Sequence, residues 1–272
     1  MQKNGRLKLE MNQNLVFLGH HKCASTWMGK IFYGIQSATG WSIKYGLDPS
    51  QKINIIGNAK YEYLESYDSF IGVHLIRDPR DIIISGYHSH RKTHPTDKWP
   101  QLIKFRDKLT SVSFSEGLIL EMDFIAHHLE DMMNWNYDDP NILELRFEDI
   151  TTQPNWQEFF HFLGLSSRDG KHNTIQYNIK RALNKLYNRG LYPSQFQQMH
   201  LPQSVIDEIP IQNSFNKLSG GRKKGETNEN SHYRKGLSGE WQSIFTEEHK
   251  LYFKSKFPGL LEKLNYESDA NW

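Results

Sequence analysis

Four short apolar runs, set apart by longer amphipathic ones, constrain this chain most. NLVFLG (14–19), INII (53–56), FIGVHLI (70–76) and NILELRF (141–147) are too short for packed helices and rich in β-branched residues and leucine. Each reads as a buried strand. After the first, Trp27, Met28, Ile31, Phe32 and Ile35 fall at helical spacing, so a helix is expected from Ser25 or Thr26 to a stop at Gly40. Asp78 before Pro79 predicts an N-cap and first turn for a helix through RDIIISGYHSH. One long helix is expected across 113–135, shorter ones across 153–165 and 174–190 with Gly164 and Gly190 near their ends, and two more in 246–257 and 259–266. Strands alternating with helices predict an α/β fold, a central parallel sheet flanked by helices. The 272 residues read as one domain, 1–272, with a basic, Gly-rich loop over 219–236.

Composition excludes several classes. A net charge of +2 is too small for general nucleic-acid binding, and no nucleic-acid partner is expected. No apolar run reaches membrane-spanning length, and MQKNGRLKLEMNQN lacks the apolar stretch of a secretory signal. The single cysteine rules out an intrachain disulfide. Together these point to a cytoplasmic chain with no membrane partner. There is no CxxC pair or HExxH helix, so no metal is expected, and the dense group HSHRKTH (88–94) reads as a solvated helix end, with a ligand or substrate contact as the alternative.

The stretch LGHHKCASTWMGKIF (18–32) joins a strand to a helix start. The first amides of such a helix lack partners and carry the positive end of its dipole. Lys22 adds a full charge, Ser25 and Thr26 add hydroxyls, and small residues at 23–25 let a phosphate approach the backbone. A phosphate cradle and an ordinary capped turn both fit. A Walker A loop does not, because Gly19 is the only glycine in the turn between strand and helix, and neither does a dinucleotide fingerprint. A second stretch, VHLIRDPRDIIISGYH (73–88), repeats the pattern. Arg77 ends a strand and Ser85 follows two helical turns on, either clamping a second phosphate or, for Arg77, pairing with Asp78 or Asp81.

Taken together, these stretches resemble the sulfotransferases that use 3′-phosphoadenylyl sulfate (PAPS). His21-Lys22-Cys23-Ala24-Ser25-Thr26-Trp27-Met28 is similar to that family's PK-S/A-G-T-T-W-L, and Arg77-Asp78-Pro79-Arg80-Asp81 with Ser85, Tyr87 and His88 to its second motif. LRFEDI (145–150) and YRKGLSGEWQSIFT (233–246) resemble two more, in the family's order. The resemblance implies a P-loop-like sulfotransferase fold and transfer of a sulfuryl group from PAPS to a hydroxyl or amine of a small-molecule acceptor. Adenosine 3′,5′-bisphosphate (PAP) is the implied product, and no metal is required. It implies that Lys22, Cys23, Ala24, Ser25 and Thr26 hold the 5′ end. Trp27 lies near the adenine, Arg77 and Ser85 hold the 3′-phosphate, Phe147 lies at the nucleotide, and Arg234, Lys235 and Gly236 close over it. Trp241 reads as an anchor for the last motif. A nucleotide-dependent kinase or P-loop NTPase, and a nucleotide-binding relative without catalysis, are the alternatives.

The sequence also departs from the family. The K-T-H histidine that serves as general base is replaced within NIIGNAKYEYLES, which leaves Glu62, Lys60, His20 and His21 as candidate bases. Cys23, beside Lys22 and a helix start, is expected to have a lowered pKa and to be open to alkylation. Phe147 stands where the family has tyrosine. The acceptor is expected between 92–115 and 191–232, with Trp99, Phe105, Tyr192 and Phe196 as stacking candidates. Nothing in PGLLEKLNYESDANW sets the oligomeric state.

Overall fold

The computed structural model describes residues 13–97 and 99–272. The N-terminal stretch read above as lacking a signal lies, through residue 12, outside the described residues.

All four expected strands form: β1 (Asn14–Gly19), β3 (Ile53–Ile56), β4 (Phe70–Ile76) and β5 (Ile142–Arg146). A short strand without an apolar signature, β2 (Ile43–Tyr45), completes a parallel five-stranded sheet of order β2-β3-β1-β4-β5. Two further short strands, β6 (Leu165–Ser167) and β7 (Met199–Leu201), pair separately. They escape sequence reading because three residues carry no usable period.

Helix α1 (Ser25–Thr39) buries Met28, Ile31, Phe32 and Ile35 against the sheet and ends at Gly40, whose φ of 73° is the left-handed C-cap conformation glycine favours. Helix α2 (Pro79–His88) starts as expected, with the Asp78 side chain accepting the Arg80 amide. The single helix expected over 113–135 is two, α3 (Phe114–Phe124) and α4 (Ala126–Met133), broken at Ile125 with φ −100° and ψ 8°. No glycine or proline marks that break, so the sequence gives no warning of it.

β1 lies at the sheet's centre, with β3 on one side and β4 on the other. The connections from its neighbours diverge at its carboxyl end, where open α/β sheets place their ligands. The core fills both faces. Phe17, Phe32, Trp41, Phe159 and Phe160 cluster together, and Ile82, Ile83, Met122, Leu129 and Phe253 form another cluster.

Candidate active site

A cavity of about 600 Å³ opens at the carboxyl ends of β1, β3, β4 and β5, within the usual range for a small-molecule site. Of the residues singled out from the sequence, Lys22, Ala24, Ser25, Thr26, Trp27, Arg77, Ser85, Phe147, Arg234, Lys235, Gly236, His20 and His21 all line it. Tyr45, Trp156, Phe215 and His232 line it as well and belong to no motif.

The cradle loop is shaped by backbone conformations that residues with a Cβ rarely take. Lys22 has φ 61° and Ala24 φ 58°, on either side of Cys23, an alternation of the kind found in backbone nests, and the Cys23 amide donates to the His20 carbonyl at 3.2 Å. Each positive φ costs roughly 1–3 kcal/mol of strain. Gly19 is required, because a Cβ there would meet Ser25 Oγ at 2.4 Å. That approach lets the Ser25 hydroxyl donate to the His20 carbonyl at 3.0 Å, so its proton closes the loop instead of facing a ligand. Ala24 at the N-cap brings no side-chain acceptor, which leaves the first amides of α1 for an anion. Trp27 is held at the rim by donating Nε1 to the Asn213 carbonyl at 2.7 Å.

Arg77 spans the cavity floor. Its guanidinium lies 4.7 Å from the Phe147 ring, donates to the Leu237 carbonyl at 3.3 Å and approaches Asp81 at 4.0 Å. Its Nε is buried without a hydrogen-bond partner among the described residues. Asp81 in turn accepts the Gly239 amide at 2.5 Å and the Trp241 amide at 3.2 Å, which pins the last motif onto α2. Trp241 is the expected anchor, its ring 3.5 Å from the Arg80 guanidinium.

Charge in the cavity is one-sided. Lys22, Arg77, Lys224, Arg234 and Lys235 line it against the single carboxylate of Glu240. Glu240 bonds Arg234 and Lys235 together. Burial lowers the Lys22 pKa to about 8; Glu121 opposes this, while Arg77 and Arg234 add to it. A polyanion would relieve all three cations at once. The 219–236 segment is a loop, as expected, and is braced by Arg222, which donates to the Glu226 and Arg234 carbonyls at 3.0 and 2.9 Å.

Several expectations are corrected. Cys23 is fully buried under the loop, and burial raises its thiol to about 12, so desolvation outweighs the helix start. Glu62 is exposed, on a 3₁₀ turn (Tyr61–Ser66), and with Lys60 borders a separate shallow depression. Neither lines the cavity with Lys22. Phe105 is in the core, Trp99 packs on histidines, and Tyr192 and Phe196 stack on each other at 6.3 Å outside the cavity. His90, from the group read as a solvated helix end, is fully buried.

Two histidine chains converge on the loop. His20 Nε2 meets His74 Nε2 at 2.7 Å, and His74 Nδ1 meets Glu144 Oε2 at 2.5 Å. Register explains this: His74 pairs with Leu18 on one side and Glu144 on the other, and His20 is two residues beyond Leu18. His21 Nε2 meets His90 Nε2 at 2.9 Å, and His90 Nδ1 meets Glu121 Oε2 at 3.0 Å. No periodicity announces these contacts, since each partner comes from a different element.

Residues 72–189 match the family model described as the sulfotransferase domain. That stretch is similar to the sulfotransferase domain. No curated protein matches the sequence. Among solved structures, mouse sulfotransferase SULT7A1 complexed with PAP is similar at a TM-score of 0.58 and 16% identity, over 94% of this chain and 86% of that one. Retinol dehydratase in complex with androsterone and inactive cofactor PAP aligns at a TM-score of 0.49 and 14% identity, over 92% and 80%. The α/β architecture is that of the sulfotransferases. Among the described residues, no helix is long and apolar enough to cross a membrane.

Proposed function

We propose that this chain moves the sulfuryl group of PAPS to a hydroxyl or amine of a small-molecule acceptor. The observation that carries the proposal is that Lys22 with its nest, Arg77 with Ser85, and Arg234 with Lys235 all line one cavity at the carboxyl end of β1. These groups suit a carrier with phosphates at both ends of one adenosine, and Arg77 Nε, buried and unpartnered, fits a phosphate acceptor. The PAP complex of the mouse relative supports the same choice of nucleotide.

The bound donor would supply an activated sulfuryl group whose transfer builds charge on the leaving oxygen. Lys22 and the amides of residues 24–26 hold the 5′ end, the Cys23 amide being bonded to the His20 carbonyl, and Lys22 neutralises the leaving oxygen. Arg77 and Ser85 fix the 3′ end, Trp27 flanks the base, and Phe147 supports Arg77. Lys235 and Gly236, with Arg234, close the site. His20 is the residue best placed to take the acceptor's proton. It lines the cavity beside Lys22, and its one ring hydrogen bond, to His74, leaves Nδ1 for that proton.

The test pairs binding with transfer. PAP at a hundredfold excess over its Kd should stabilise the protein by about 2.7 kcal/mol, whereas ATP with magnesium should do little. Labelled PAPS with a metabolite panel should give a sulfated product, and Lys22→Ala should slow it on the order of 10²-fold. Stabilisation by ATP with magnesium but not by PAP would return the kinase reading. Binding of PAP without transfer to any acceptor would leave a nucleotide-binding relative.

A further inference from the structure

The histidines of the 88–94 group have no part in the reading above, yet they are built into the protein with care. His90 lies on a π-helical turn, Ser89–Thr93, and His94, four residues on, caps it through its amide to the Ser89 carbonyl at 2.8 Å. His21 reaches them from the cradle loop. One ring nitrogen from each of His21, His90 and His94 lies within 4.8 Å of the other two. Tetrahedral zinc with nitrogens at 2.0–2.1 Å sets them about 3.4 Å apart, so small side-chain shifts close the cluster on an ion.

In two of the three, the remaining nitrogen is already engaged as it is behind metal-bound imidazoles. His94 Nδ1 donates to the Pro95 carbonyl at 2.8 Å, which leaves Nε2 with its lone pair. His90 Nδ1 meets the Glu121 carboxyl, a carboxylate–histidine arrangement. Arg106 fixes both backbones, donating to the His90 carbonyl at 2.7 Å and the His94 carbonyl at 2.6 Å. Trp99 sets its edge or face against all three rings at 5.2–5.6 Å, forming an apolar wall.

A second observation asks for a cation. Glu121 is fully buried, and its two oxygens share one hydrogen-bonding neighbour among the described residues, His90 Nδ1, at 2.8 Å from Oε1 and 3.0 Å from Oε2. Gly86 leaves room for Oε1, which would lie 2.2 Å from a Cβ there. A buried carboxyl is costly unless positive charge stands nearby; Lys22 supplies part of it, and an ion on the histidines would add the rest.

We propose that His21, His90 and His94 form a site for a divalent transition-metal ion of the zinc class, with Glu121 as its outer carboxylate. His21 and His94 also line the cavity, so the ion's fourth position opens towards it. Three protein ligands and one open place is the arrangement of zinc sites that bind a small molecule rather than staple a fold. The site revises the metal-free expectation drawn from the sequence. It does not depend on the sulfotransferase reading.

The experiment uses the full chain, stripped with a chelator and titrated with Zn²⁺ by calorimetry and with Co²⁺ by visible absorption. One ion per chain is expected, with the absorption of a four-coordinate cobalt site. His94→Ala, at the half-buried end of the turn, and His90→Ala should each weaken binding at least about tenfold, and His161→Ala on the surface should not. Circular dichroism shows whether each variant folds; if His90→Ala does not, His94→Ala decides. Absence of stoichiometric binding overturns the proposal. So does binding unchanged in the folded variants, which would leave the cluster a hydrogen-bonded histidine relay. PAP binding, measured alongside, reports separately on the nucleotide reading.

Discussion

His74 lies beside Glu144 in the β4–β5 ladder, its Nδ1 2.5 Å from Glu144 Oε2, and its other nitrogen meets His20. Burial raises the Glu144 pKa to about 8, held back by its bond from Trp135 and helped by Asp139, and burial keeps His74 well below its ordinary value. Below pH 8 the Glu144 carboxyl therefore donates to His74, His74 donates to His20, and His20 Nδ1 carries a proton. Once Glu144 ionises, every bond in the chain reverses and His20 Nδ1 presents a lone pair. The carboxyl thus sets, from two side chains away, whether the cavity histidine is a donor or a base.

Transfer should accordingly rise with pH and level off above about 8. Glu144→Gln, whose amide mimics the protonated state, should lose that limb and slow the reaction about 10²-fold, in the range for removing general-base assistance. PAP affinity should not change, because Glu144 does not line the cavity. A Gln variant with a wild-type pH profile would exclude the chain from proton transfer.

Cys23 should resist alkylation. The thiol has no exposed surface, and burial holds its pKa up to about 12. Iodoacetamide at pH 8 should leave the native protein unmodified for hours and react fully in denaturant, as followed by intact mass. Rapid modification of the folded chain would show that the loop opens.

How much of this was readable beforehand depends on whether the information is local. Strand β4, the Asp78 cap and the Gly40 stop are written in adjacent residues, so periodicity and cap chemistry find them. That Lys22 and Ser25 share one cavity with Arg77 and Ser85 was legible because each motif sits on one strand–helix junction. Cys23 and Glu62 misled for a shared reason. Sequence neighbours suggest an electrostatic environment, but burial and side-chain direction decide it, and both depend on distant chain. The same holds for Glu144, Glu121 and His90, whose partners lie 31 to 70 residues away.

Arg80 is a structural linchpin instead of a ligand contact. Its guanidinium lies 2.8 Å from Asp78, pairs with Glu267 at 2.5 Å, and is flanked by the Trp241 and Trp272 rings at 3.5 and 4.6 Å. Arg80→Ala strands the buried Asp78 carboxylate and removes the surface on which Trp241 anchors the last motif. A loss of about 3 kcal/mol in urea unfolding is expected, near the low end for breaking a buried pair. PAP affinity should fall with it, since Gly236 and Leu237 lead into Trp241. A loss below about 1 kcal/mol would place the motif's anchorage elsewhere.

Ala24 makes the opposite prediction. It is held at φ 58°, a left-handed conformation that costs a residue with a Cβ about 1–2 kcal/mol. Ala24→Gly removes that strain and gives back part of it as greater freedom of the unfolded chain. A net gain of about 0.5–1 kcal/mol is expected, raising Tm by about 1–2 °C for a chain of this length. The nest keeps its shape, so PAP affinity should hold or improve. If Ala24→Gly lowers Tm, the loop does not carry this strain in solution, and the left-handed turn is not its resting state.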